Sequence, residues 1–256
     1  MAKYRKISER LTLLVVVLAG FSSCSPTTNQ GQVLSGTKKQ SLNRDAWGHR
    51  PGPQGFTTVI IDAGHGGHDS GAIGHGLKEK ALAMDTALRL KKKLSGKFKV
   101  VMLRGGDRFV DLNERVKFAN RYSSAILVSL HYNSSRSSYV RGPETYYWRV
   151  DSHGLATRIQ KNMEKVTGGR HTSLGKKRRR LRLTRNPQIP CVLVEFGYLS
   201  NAKDARLVRS ASYRDRLASA VASAIITQQK VGDAGTGKLP KPLYQPLSRP
   251  TDPPGS

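Results

Sequence analysis

Residues 56–67 read Phe-Thr-Thr-Val-Ile-Ile-Asp-Ala-Gly-His-Gly-Gly. A short apolar run rich in β-branched residues reads as a buried strand, and the Gly-His-Gly-Gly that follows is where the chain leaves the sheet. Working outward, Glu79–Leu94 has the helical period, with Leu82, Ala83, Ala87, Leu90 and Leu94 on one broad face. Residues 98–103 read as a strand. Residues 112–122 read as a helix capped by Asp111, with Glu114 at the capping-box spacing. Strands are expected at 125–130, 144–149, 181–184 and 191–196, and helices at 152–166 and 211–229. Strands alternating with helices predict an α/β fold: a single three-layer domain over residues 56–230, with a mostly parallel twisted sheet flanked by helices. Such sheets place their sites at the carboxyl ends of the strands.

Ionisable groups stand at those ends. His65 follows the first strand, Glu79 opens the first helix, His131 closes the third strand, and Glu195 sits inside Val192-Leu193-Val194-Glu195-Phe196-Gly197. Each histidine alone reads equally as a turn residue or a satisfied core residue, and Glu79 alone as a helix-dipole partner. Glu195 is harder to place that way. A carboxylate behind three apolar strand residues costs several kcal/mol if buried and unpaired, so it calls for a metal, a cation or a proton. Two His and one Glu around an open position are also a zinc-hydrolase ligand set. The spacing of 65, 79 and 131 follows no short metal motif, and the residues alone leave both readings open.

The flanks differ in kind. Lys3, Arg5, Lys6 and Arg10 precede an apolar run from Leu11 to Phe21, too short to span a bilayer and suited to a signal peptide over 1–24. Phe21-Ser22-Ser23-Cys24 resembles the lipobox of bacterial lipoproteins, which implies lipidation of Cys24 and a membrane anchor at the periplasmic face of the envelope. The alternative is secretion to the periplasm or exterior. Residues 25–55 read as a flexible linker and 231–256, holding six of the 12 prolines, as a disordered tail. Cys191, the other cysteine, lies in an apolar run and reads as a small core residue.

The chain has 256 residues and a formal net charge of +27, and 33 of its 44 basic residues lie in 56–230. A basic balance of this size indicates a polyanionic partner. Its densest part is 176–185, where Lys176, Lys177, Arg178, Arg179, Arg180, Arg182 and Arg185 stand without an acid. The run reads as a solvated face, as substrate capture through Arg forks, or as contact with anionic lipid. No aromatics interleave it for base stacking, and the leader exports the chain, so no nucleic-acid partner is expected.

Five ordered blocks carry a family resemblance. They are Ile60-Ile61-Asp62-Ala63-Gly64-His65-Gly66-Gly67-His68-Asp69-Ser70-Gly71-Ala72; Glu79-Lys80; Leu103-Arg104-Gly105-Gly106-Asp107 with Leu112-Asn113-Glu114-Arg115; Val128-Ser129-Leu130-His131-Tyr132-Asn133; and residues 190–201 around Glu195. Together they resemble the zinc-dependent N-acetylmuramoyl-L-alanine amidases. The resemblance implies zinc (Zn2+) held by His65, Glu79 and His131, and catalysis by Glu195. It implies peptidoglycan as substrate, cleaved between the lactyl group of N-acetylmuramic acid and L-alanine. Asn133 and Arg170 are the expected substrate contacts, Asp62 a support for the first turn, and His68 and His75 solvated loop residues. Some members carry a long occluding helix after the second histidine motif. Residues 132–142 leave no room for one, so an open site is expected, on a monomer.

Overall fold

The computed structural model describes residues 52–169 and 171–240. The leader with Cys24, residues 25–51 of the expected linker, Arg170, and residues 241–256 of the expected tail lie outside the described residues. In chain order the elements are β1 (Thr58–Ala63), β2 (Ile73–Gly74), β3 (Leu77–Lys78), α1 (Glu79–Leu94), β4 (Lys99–Met102), α2 (Leu112–Ala119), β5 (Ala125–Asn133) and β6 (Glu144–Tyr147). They continue through α3 (His153–Thr167), β7 (Lys176–Arg178), α4 (Arg182–Arg185), β8 (Cys191–Tyr198), α5 (Ala202–Arg209) and α6 (Ala211–Val231). Six strands form one sheet in the order β4-β1-β5-β8-β6-β7. β4, β1, β5 and β8 run parallel, β6 is antiparallel to β8, and β7 parallels β6. The mostly parallel α/β sheet expected from the sequence is present.

Alternation along the strands divides the core. Val59, Ile61 and Ala63, Ile126, Val128 and Leu130, and Val192, Val194 and Phe196 point to one face. There they meet Leu82, Leu90 and Leu94 of α1, Ile159 of α3, and Leu217 and Val221 of α6. The other face carries Ile60, Leu127 and Cys191, which pack on Ala119, Leu183 and Ile189. The difference follows from helix length: α1, α3 and α6 have 16, 15 and 21 residues, α2 and α4 only 8 and 4. The short helices cover the second face incompletely and leave a groove there. Cys191 is a core residue: burial pushes its thiol up to about 12, and its Sγ lies 3.2 Å from the Thr184 carbonyl.

Some local expectations are corrected. The strand expected at 181–184 is instead the single turn α4, and the strand of this region stands earlier, at Lys176–Arg178. The reason is local: Thr184 Oγ1 donates to the Arg179 carbonyl at 2.7 Å and accepts from Leu181 N at 3.1 Å, which closes a turn where the residue types suggested extension. α2 ends at Ala119, short of 122, although Asp111 caps it as expected, accepting from Asn113 N at 2.7 Å and Glu114 N at 3.0 Å. α5 was not expected; Asn201 caps it through Lys203 N and Asp204 N. Hydrogen bonds also join residues just outside 56–230 to one another and to the sheet-flanking helices. Gly52 N donates to Asp233 Oδ2 at 2.8 Å, Gln54 Nε2 to the Lys230 carbonyl at 2.7 Å, and Arg158 to the Gly232 carbonyl at 2.9 Å.

Candidate metal centre

β1 ends beside β5, so Ala63 pairs with Leu130 and the next residues of both strands meet in one place. His65 leaves the sheet with a positive φ of 59°, a conformation uncommon outside glycine. Two buried arginines hold it there. Arg104 donates to the carbonyls of Ala63 at 2.8 Å and Gly64 at 3.0 Å, and Arg115 donates to the carbonyls of Ala63 and His65 at 3.1 and 2.9 Å. These bonds satisfy the carbonyls that no strand pairs. Gly64 is required because a Cβ there would run into the His131 ring, and Gly71 because one would meet the His65 ring and Glu79.

His65, Glu79 and His131 come together, with one ligand atom from each inside 4.8 Å of the others. His65 Nε2 lies 3.0 Å from Glu79 Oε1, and His131 Nδ1 lies 2.8 Å from the same oxygen. The bonds behind the rings decide which nitrogens face the site. His65 Nδ1 sits 2.7 Å from Asp69 Oδ2, so its proton is held there and Nε2 presents a lone pair. Ser129 Oγ donates to Asp62 Oδ2 at 2.6 Å, which leaves it accepting from His131 Nε2 at 3.1 Å and turns the Nδ1 lone pair inward. Glu79 is fixed in turn by Ala72 N at 2.7 Å on Oε2 and Tyr132 N at 3.0 Å on Oε1. Three acceptors thus converge on one point with no donor between them. That donor set, two imidazole nitrogens and one carboxylate oxygen, fits a zinc ion and leaves a position open.

Glu195 stands in β8 opposite His131 and is 9% exposed. Among the described residues its Oε2 has no hydrogen-bond partner. Burial, then the charges of Glu79 and Glu144, push this carboxyl well above its usual range, against the charge of Arg179. The groove over these residues has a volume of about 570 Å³ and is lined by His65, Glu79, His131 and Glu195, with Phe109, Arg115, Asn133, Leu183 and Leu193 around them. A second hollow of about 610 Å³ lies between α3 and α6, lined by Lys161, Lys165 and Thr227 among others, and contains none of the four. No helix intervenes between Asn133 and Glu144.

Asn133 lines the groove, donating from Nδ2 to the Tyr146 hydroxyl at 3.1 Å. His68 packs against Phe109 with ring centres 4.2 Å apart, and His75 lies in the β2–β3 turn; neither joins the ligand set. Asp62, expected to support the first turn, pairs with Arg115 and steers His131 through Ser129. Sequence reading missed Asp69 and Ser129 as orienting partners. Their signals were present: Asp69 lies four residues after His65 within a turn, and Ser129 two before His131 on the same strand face.

Residues 59–227 match the family model Amidase_3, described as N-acetylmuramoyl-L-alanine amidase, and the chain belongs to this family. The N-acetylmuramoyl-L-alanine amidase LytC of Bacillus subtilis is 37% identical over 169 residues, covering 64% of this chain and 34% of LytC. The chain therefore matches about a third of that relative's length. The uncharacterized protein YqiI of the same organism is 36% identical over 173 residues, 66% of this chain and 82% of YqiI. Among solved structures, the catalytic domain of CwlV, an amidase from Bacillus (Paenibacillus) polymyxa var. colistinus, superposes with a TM-score of 0.63 at 37% identity. It covers 67% of this chain and 97% of that one. The CwlD amidase of Clostridioides difficile, solved with the GerS lipoprotein, gives 0.63 at 28% identity over 67% of this chain and 97% of that one.

Proposed function

We propose that this chain is a zinc-dependent peptidoglycan hydrolase that cleaves the amide between the lactyl group of N-acetylmuramic acid and L-alanine of the stem peptide. The observation that carries this reading is the convergence of His65 Nε2, Glu79 Oε1 and His131 Nδ1 on one point, with Glu195 in the same groove. Bound there, zinc supplies a Lewis acid that polarises a carbonyl and acidifies water. The rest is the work of the chain. Glu195, which lines the same groove, is the acid and base of the reaction. It takes a proton from the attacking water as the C–O bond forms. It returns that proton to the alanine nitrogen as the C–N bond breaks, leaving a free lactyl carboxylate and a free amine. Asn133 lines the groove with an amide N–H available to an oxygen of the substrate. Arg170 is proposed as a further substrate contact on the family resemblance alone.

The test is digestion of purified sacculi with zinc and with chelator, followed by mass analysis. Free stem peptides beginning at alanine, lost with chelator, are expected. Products cut elsewhere in the peptide, or undiminished by chelator, would overturn the reading. The helix-free connection between Asn133 and Glu144 supports a site that works without an activator. The chain is further proposed to act as a monomer, either secreted to the periplasm or exterior or, on the lipobox resemblance, at the periplasmic face of an envelope membrane. There it is held by lipid on Cys24, an assignment checked by the mass of the mature N-terminus. Among the described residues no helix is long and apolar enough to cross a membrane.

A further inference from the structure

Of the seven cations at 176–185, Arg179 alone is exposed. Its neighbours are partly buried, and most are engaged. Lys176 Nζ lies 2.6 Å from both His153 Nε2 and Thr157 Oγ1 on α3. Arg178 Nε donates to the Trp148 carbonyl at 2.7 Å with its guanidinium over the Trp148 ring, and Arg182 reaches Asn113 of α2. The run is therefore not a uniform solvated face. Most of it ties β7 and α4 to the fold.

Arg179 is placed differently. Residues paired across neighbouring antiparallel strands share a face. Glu144 pairs with Glu195 and Tyr146 with Leu193, so Tyr146 stands on the groove face. The Arg179 guanidinium lies 4.9 Å from the centre of the Tyr146 ring, a cation–π seat that orients a planar fork without consuming its donors. The ring is itself fixed, its hydroxyl donating to Glu144 and accepting from Asn133. The main chain of Arg179 is held on both sides, its N–H by the Tyr147 carbonyl at 2.9 Å and its carbonyl by Thr184 Oγ1 at 2.7 Å. Its charge reaches Glu195 and Tyr198. Among the described residues no carboxylate lies at ion-pair distance from it.

We propose that Arg179 binds a free carboxylate on the peptide side of the substrate and makes the enzyme selective for acidic over amidated stem peptides. The inference rests on the amidase reading, because in that substrate the lactyl carboxyl is tied up in the scissile amide and the free carboxylates belong to the peptide. A guanidinium fork pairs a carboxylate through two charge-assisted bonds and a carboxamide through fewer and weaker ones.

The test uses the full chain with zinc and two disaccharide–peptide muropeptides. They differ at the second residue, which carries either a free carboxylate or its carboxamide. The wild type is expected to prefer the carboxylate, by kcat/KM, about tenfold or more. Arg179→Gln brings that ratio near one, and Arg179→Lys, which keeps the charge without the fork, falls between. Lys92→Gln, removing an exposed cation on α1, keeps the wild-type ratio. A wild-type ratio near one, or a ratio that survives Arg179→Gln, overturns the assignment while leaving the amidase reading intact. Failure on both muropeptides and on sacculi overturns the amidase reading itself.

Discussion

The two faces of the sheet are built from the same strands and serve opposite ends. Odd-numbered residues of β1 and even-numbered residues of β5 and β8 enter a core beneath three long helices. Their neighbours in sequence face two short helices and an open groove. Burial can be completed on the first face because α1, α3 and α6 span the strands. On the second it stops near Leu183 and Cys191, and the strand ends beyond carry His131, Glu195 and Asn133. One face holds the fold, and the space left on the other makes room for a substrate.

That comparison can be broken first at the groove. Glu195→Gln is expected to lower the rate by roughly 10²–10⁴, and His65→Ala to lose both activity and bound zinc by elemental analysis, with the circular dichroism of either variant unchanged. Near-normal hydrolysis by Glu195→Gln would remove it from the chemistry. On the packed face, Leu90→Ala should cost about 2–5 kcal/mol of stability in urea titrations and leave turnover intact well below the midpoint. An equal loss for Leu193→Ala, 7% exposed on the groove face, would show the two faces to be equally packed. Between them stands Asp69, partly exposed and bonded to a ligand. Asp69→Asn should weaken zinc affinity about 10–100-fold with little change in unfolding.

The smallest expected effect lies at the sheet edge, away from the groove. His153 packs beside Lys176, Tyr147 and Thr157, with Asp233 and Arg178 also acting on it. Burial, then the charge of Lys176, lowers its pKa from 6.5 to about 4. The unfolded chain thus binds the proton more readily. Stability should be constant above pH 6.5 and decline as the pH falls toward 4. For this ring, only 6% exposed, the loss is on the order of 1–3 kcal/mol, with a fall in Tm of about 2–4 °C for each kcal/mol. Thermal melts of His153→Gln should lose that dependence in this window, and an unchanged slope would exclude His153 as its source.

Legibility in the sequence followed the range of the interaction. Buried strands and long helices declare themselves through periodicity, because the backbone alternates side chains regularly. The 79–94 face was readable for that reason, as was the Asp111 cap. The 181–184 segment misled because a single hydroxyl, Thr184, closes a turn through bonds that no period records. α5 was invisible for a similar reason: it is 8 residues long and polar.

By itself the sequence determined the strand–helix alternation, the four chemical residues at element ends, and the family blocks that join them. These depend on residue type and near-neighbour spacing. Only the tertiary structure decided which ring nitrogens face inward, through Asp69 and through Ser129 with Asp62, and that of the seven cations Arg179 alone is exposed, seated on Tyr146. Hydrogen-bond direction and strand-face parity arise between residues far apart in the chain, and they exist only once the sheet has brought them together.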